Sequence, residues 1–129
     1  MIALDTNVLV RYLVEDDAAQ AAVARRIIEQ SLTPAAPGFV GLVVLVELAW
    51  VLDRVYGCTG DQVASIVAGL IASPTILVEQ AAAVAAAIAQ PHSDLADALL
   101  HEVGKAHGCA RTVTFDRKFA KLPGVALAR

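Results

Sequence analysis

Five acidic side chains, Asp5, Glu47, Asp94, Asp97 and Asp116, stand where a folded core has little use for them. Asp5 ends the short apolar run IAL and opens the polar triplet Asp5-Thr6-Asn7, and Asp116 follows just after Val113-Thr114, the end of a β-branched run. In a parallel α/β sheet, side chains at the carboxyl ends of strands gather in a crevice where the strand order reverses, and ligands bind there. Both acids follow apolar strands expected to be buried on two faces, so little solvent competes for them. Glu47 is the most conspicuous of the set. In VVLVELAWVL its helical neighbours on either side are Val43, Val44, Trp50 and Val51. A carboxylate on an apolar helical face is costly to bury unless it is paired, protonated or metal-bound. The competing reading is a bond to a buried base or helix N-terminus, or a place on a narrow exposed edge of the helix. Asp94 and Asp97, close together in SDLAD, share one face of a first helical turn, where capping explains them equally well. Asp16, Asp17, Asp53 and Asp61 read only as caps or solvated surface.

Carboxylates gathered together repel unless cations neutralise them. A set with only oxygen donors suits Mg²⁺ or Mn²⁺, which keep several waters and accept a few carboxylates alongside phosphate oxygens. His101 and His107 are not at a zinc spacing from each other, and His92 precedes the helix, so zinc is not expected.

The elements that must position these acids follow from pattern and punctuation. The opening IALD reads as strand and sharp turn, followed by a helix through VLVRYLV. A helix over 18–30 is capped by Asp16 or Asp17; Pro34, Pro37 and Gly38 mark a loop, and an extended stretch lies near Phe39. A long helix from Leu42 to Tyr56 ends at Gly57, and another opens at Thr59 or Gly60-Asp61 and runs to Ala72. TILV reads as a buried strand, 80–90 as an alanine-rich helix, and Pro91 as a break; Ser93 or Asp94 then caps a helix to His107-Gly108. ARTVTF is a strand, FDRKFAKL a short helix or turn, and VALA a last edge strand. Strands alternating with helices predict a parallel α/β sheet covered on both faces. Neither an internal repeat nor an interdomain linker interrupts the pattern, so residues 1–129 form one expected domain.

Composition agrees. With 129 residues, 57% of them hydrophobic and 18% charged, a disordered or low-complexity chain is excluded, and the core needs no metal or disulfide staple. Cys58 and Cys109 are expected as reduced thiols. The mean hydropathy of +0.62 is high. However, the longest uncharged stretches, 30–46 and 62–78, are proline-interrupted and shorter than an apolar membrane span, and no basic leader precedes Asp5. A cytoplasmic, membrane-free protein is expected. The net charge of −3 hides a basic end: Lys105, Arg111, Arg117, Lys118, Lys121 and Arg129 face only Glu102 and Asp116 in the last quarter of the chain. Such an end attracts a polyanion.

Over its whole length the chain resembles the PIN-domain ribonucleases, in particular the VapC-type toxins of toxin–antitoxin pairs. LDTNVLVRYL, VVLVELAWVLDRVYG, SDLADALL and TVTFDRKF occur in the family's order and spacing. The resemblance implies a three-layer α/β/α fold with a central, mostly parallel sheet of four to five strands. It implies that Asp5, Glu47, Asp97 and Asp116 form a catalytic, metal-holding quartet, with Asp94 beside it and Thr6, Asn7 and Thr114 in support. Leu95 departs mildly, standing where many members have an aromatic residue. The implied activity is Mg²⁺- or Mn²⁺-dependent hydrolysis of RNA. Arg111, Arg117, Lys118 and Lys121 would steer the backbone. A cognate antitoxin and assembly as a homodimer or toxin–antitoxin hetero-oligomer are the implied partners. Two rivals remain. An aspartyl-phosphate phosphatase wants Asp-x-Asp where this chain has Asp5-Thr6-Asn7, and a receiver domain wants a lysine at a late strand end where it has Thr114-Phe115-Asp116. A PIN-like module that binds RNA or a partner without cutting is the other.

Overall fold

Parallel strands joined through helices account for most of the chain. A computed structural model describes residues 1–90 and 94–129 and divides them into two compact units, Met1–Ala81 and Ala82–Arg129. The expectations for Pro91, His92 and Ser93 lie outside the described residues.

In the first unit, β1 (Ile2–Ala3), β2 (Gly38–Val40) and β3 (Ile76–Val78) form a parallel sheet in the order β1-β2-β3. Ile2 pairs with Gly38, and Phe39 with Leu77. Parallel neighbours cannot be joined by a tight hairpin. The crossovers are α1 (Thr6–Leu13) with α2 (Ala18–Arg26), then α3 (Leu42–Arg54) with α4 (Gly60–Ala72). The apolar stripe of α3, Leu45, Leu48, Ala49 and Leu52, is buried together with Leu9 and Val10 of α1, Val67 of α4 and Val40 of β2. Each fully buried leucine contributes about 1.5–3 kcal/mol relative to an exposed one. Gly38 is required at the sheet's centre, because a Cβ there would lie 2.8 Å from Leu4 Cδ1 and 2.9 Å from Leu32 Cδ1.

The helix signals are local and mostly as read. Thr59 and Gln62 form a reciprocal capping box on α4. Asp17 caps α2 through the Gln20 amide, while Asp16 turns away to Tyr56 (2.7 Å) and Arg11 (3.1 Å). The helix expected over 18–30 changes character: α-helical bonding stops at Arg26, and Ile27–Ser31 continue as a π-helix. One cap is entirely non-local. Gly41, at the N-cap of α3, has no side chain to offer, and Glu79 Oε1 at the end of β3 accepts the Leu42 amide at 3.0 Å.

The second unit contains α5 (Ala81–Ile88, its first residue in the preceding unit), α6 (Leu95–Ala106), β4 (Thr112–Thr114), a 3₁₀ turn (Phe119–Lys121) and β5 (Val125–Leu127). β4 and β5 pair in parallel. Val84, Ala98, Leu99, Phe119 and Val125 are buried there. His101 is buried with them, 2.8 Å from Thr112 Oγ1, and the left-handed Gly124 (φ 84°) makes room for its ring. Glu102 is buried too, with Lys105 at 3.5 Å and Gln90 at 3.4 Å.

The α/β class with parallel strands holds, with the strands divided three and two between the sheets. The expectation of strands buried on two faces holds for β2, flanked on both sides in its sheet, and fails for its neighbours and for β4: Ile2, Leu77 and Val113 are each about half exposed (50%, 46% and 55%). Nor does the strand order reverse within the three-stranded sheet, where it runs in sequence. Cys58 and Cys109 are free thiols, as expected.

Candidate active site

Asp5 occupies the N-cap position of α1, directly after β1. An aspartate there ordinarily accepts a backbone amide of the first turn. Asp5 does not; its side chain makes no cap bond and is exposed. Behind it Thr6 is 4% exposed, and its Oγ1 lacks any hydrogen-bond partner among the described residues, so the expected support of Asp5 by this hydroxyl is not made. Asn7 is exposed on the rim of a groove of about 320 Å³ between α1 and α2, which Val8, Arg11, Gln20 and Val23 also line.

Glu47 corrects the sequence reading most sharply. It is exposed, and so are Val43 (72%) and Trp50 (45%) on the same stripe of α3. Two of the apolar neighbours that made its burial look expensive are themselves exposed and the other two, Val44 and Val51, are half-buried, so Glu47 lies on the exposed edge of the helix, the competing reading given above. The Arg54 guanidinium lies over the Trp50 ring, 5.3 Å from its centroid.

In the second unit three acids do come near one another. Asp94 caps α6, with its Oδ1 accepting the Asp97 amide at 3.2 Å. Asp97, in that first turn, is therefore the capped residue and not the cap. Its carboxyl is pushed above its ordinary value, first by partial burial and then by the charges of Asp94 and Asp116. Asp116 follows β4 and is fixed by local bonds: Thr114 Oγ1 accepts its amide at 3.0 Å, and its Oδ1 accepts the amides of Lys118 (2.8 Å) and Phe119 (3.1 Å). Thr114 thus holds the backbone at Asp116. Arg111, Arg117, Lys118 and Lys121 are all exposed.

The division of labour between Asp94 and Asp97 carries its own expected result. Asp94→Ala should cost about 1 kcal/mol by removing the cap, measured by denaturant unfolding. A variant as stable as the parent would show that the Asp97 amide is served equally well by water.

Within the second unit Asp94, Asp97 and Asp116 offer only oxygen donors, the kind a hard divalent cation takes, and Asp97 sits within the charge field of the other two; in the first unit Asp5 is an oxygen donor not engaged by its helix. They do not form a finished cage: among the described residues no three histidine, cysteine, aspartate or glutamate side chains stand close enough together to hold a metal ion.

Parallel strands and helical crossovers, with acids at strand and helix ends, define an α/β protein. The family model of the PIN domain matches residues 2–125, and the chain belongs to that family. PIN domains are commonly nucleases that use Mg²⁺ or Mn²⁺, and PIN nucleases bind RNA. No curated protein matches the chain. Among the described residues no helix is long and apolar enough to cross a membrane.

Glu79 and Glu102 escaped the sequence reading. Glu79 acts on a helix far back along the chain, a contact no local pattern announces. Glu102 had one available signal, the helical spacing to Lys105 that now pairs with it.

Proposed function

We propose that the chain is a divalent-metal-dependent endoribonuclease and the toxin of a toxin–antitoxin pair, with residues 1–129 acting as one catalytic domain. The observation that carries this reading is Asp97, partly buried at the start of α6 and within the charge field of Asp94 and Asp116, in a chain of the PIN family. Carboxylates placed in one another's field repel, and a bound cation would relieve that repulsion.

Asp5, Glu47, Asp97 and Asp116 would hold Mg²⁺ or Mn²⁺. The bound ion would neutralise their charge and make a coordinated water more acidic. The rest of the work belongs to the chain. Arg111, Arg117, Lys118 and Lys121 draw the phosphate backbone toward the acids. The bond from the Lys118 amide to Asp116 Oδ1 keeps that carboxylate oriented. In the overall reaction a water oxygen bonds to phosphorus, one phosphorus–ribose oxygen bond breaks, and the departing oxygen gains a proton.

An uncontrolled ribonuclease harms its host, so a cognate antitoxin is part of the proposal. An arginine or lysine of that partner would neutralise the acids and compete for the oxygens a metal needs. A homodimer or toxin–antitoxin hetero-oligomer in the cytoplasm is the proposed setting.

The test is incubation of the purified chain with single-stranded RNA, with Mn²⁺ and with EDTA. Endonucleolytic fragments should form with Mn²⁺ and vanish with EDTA. RNA bound but left whole at every Mn²⁺ concentration would replace the nuclease with a binding module.

A further inference from the structure

The exposed stripe of α3 holds a feature that metal chemistry does not use. Val43, Glu47, Trp50 and Arg54 recur at helical spacing and are all solvent-facing, opposite the buried stripe of Leu45, Leu48 and Leu52. Trp50 is the chain's only tryptophan and is 45% exposed, an uncommon position for the largest apolar side chain. Nearly half of it faces solvent, so packing accounts for only part of its placement. Arg54 forms no ion pair among the described residues; its guanidinium stacks over the indole instead.

We infer that Trp50 and Arg54 form a nucleotide-reading platform beside Glu47, on which one RNA base stacks against the indole while Arg54 meets the adjoining phosphate. The inference rests on the ribonuclease reading and adds to it the residues that hold the strand on the α3 side. Base recognition in single-stranded RNA runs largely through stacking on aromatic rings and guanidinium planes. A chain with only 5% aromatic residues has few places to do this. Trp50 lies one helical turn from Glu47 on the same stripe, so a nucleotide stacked there brings its phosphates to the neighbourhood of that carboxylate. The complementary charge is in place: Arg54, held by a ring and not by an acid, keeps its donors available for phosphate. A second copy of this chain covering the same stripe is the competing occupant.

Because Trp50 is the sole tryptophan, its emission reports this ring alone. The probe is a fluorescently labelled single-stranded oligoribonucleotide, titrated into the full chain in EDTA at low salt while emission and anisotropy are followed together. Saturable quenching should track the anisotropy. Trp50→Leu should weaken binding roughly five- to a hundredfold, with Trp50→Phe recovering most of the loss. Arg54→Gln should lower the slope of log affinity against log salt by about 0.7, the share of one phosphate. Circular dichroism and thermal melting establish that each variant is folded.

Emission that stays constant while anisotropy saturates would overturn the platform, and so would equal affinity in the folded Trp50→Leu variant. Emission that shifts with protein concentration in the absence of RNA, and is blind to added RNA, would assign the stripe to self-association and also overturn it. The two readings fail separately. Quenching that persists without Mn²⁺-dependent cleavage supports the platform and ends the nuclease. Cleavage that continues while binding ignores Trp50 does the reverse.

Discussion

Asp97→Asn is expected to lower Mn²⁺-dependent RNA cleavage at least about a hundredfold, the upper end of what losing a metal ligand's hydrogen-bonding partner already costs, while raising the melting temperature of the metal-free protein. The two effects have one origin. Partial burial and the charges of Asp94 and Asp116 lift the Asp97 carboxyl above its ordinary value, so the folded state holds its proton more tightly than the unfolded chain does. Between the ordinary and the raised value the folded state therefore binds more protons, and stability falls as pH rises through that window. Above it the ionised carboxylate destabilises the fold in full. Asparagine has the same shape and no charge, and the cap is untouched because Asp94 supplies it through the Asp97 backbone amide. The gain in melting temperature should be largest near neutral pH and should shrink as pH falls through the raised value towards the ordinary one, about 3.9. Thermal melts across this range, paired with cleavage assays, check both halves. A variant less stable than the parent at every pH would mean Asp97 serves the helix, and full activity would remove it from the chemistry.

Asp5→Asn should cause a loss of cleavage of similar size, and here the stability argument runs differently. Replacing an N-cap aspartate with alanine ordinarily costs about 0.5–2 kcal/mol. The Asp5 side chain makes no cap bond, so Asp5→Ala should change unfolding free energy by less than about 0.5 kcal/mol, the range of an uninvolved surface position. An acid at a helix start whose removal spares the helix but stops the reaction is retained for something other than the helix. Denaturant unfolding of Asp5→Ala beside cleavage by Asp5→Asn makes the comparison. A cost near 1 kcal/mol would reveal a cap in solution, and undiminished Mn²⁺-dependent cleavage would exclude the residue from the mechanism.

Local signals were legible in the sequence and spatial ones were not. The strand-turn-helix at Asp5, the Thr59-Gln62 box and the end of α3 before the left-handed Gly57 all follow from residues within a turn of one another. The strands at Ile76–Val78 and Val125–Leu127 are where the apolar runs place them. Glu47 failed as a buried acid because periodicity tells which residues share a face and not which face meets the core; the stripe of Val43 and Trp50 looked like the inner one and is the outer one. The buried carboxylate among the described residues is instead Glu102, which the sequence pattern did not single out. Asp94 was one of the two caps the punctuation allowed, and the bond from the Asp97 amide to its Oδ1 bears that reading out. The π-helix at Ile27–Ser31 has no compositional mark at all.

The hold of Glu79 on α3 has a bearing on how the chain comes to be folded. Its backbone amide bonds to Val40 and its carboxylate to the Leu42 amide, so one residue closes both the last register of the β2–β3 pair and the first turn of the helix that carries Glu47 and Trp50. During synthesis α3 emerges well before this residue does, with its first amide lacking that partner until the third strand arrives. Closure of that long loop is paid for in chain entropy before the contact rewards it. The beginning of α3 and the last register of the β2–β3 pair thus share one residue, and until it arrives water serves that amide. A nascent chain that has not yet produced Glu79 carries the helix sequence without its clamp.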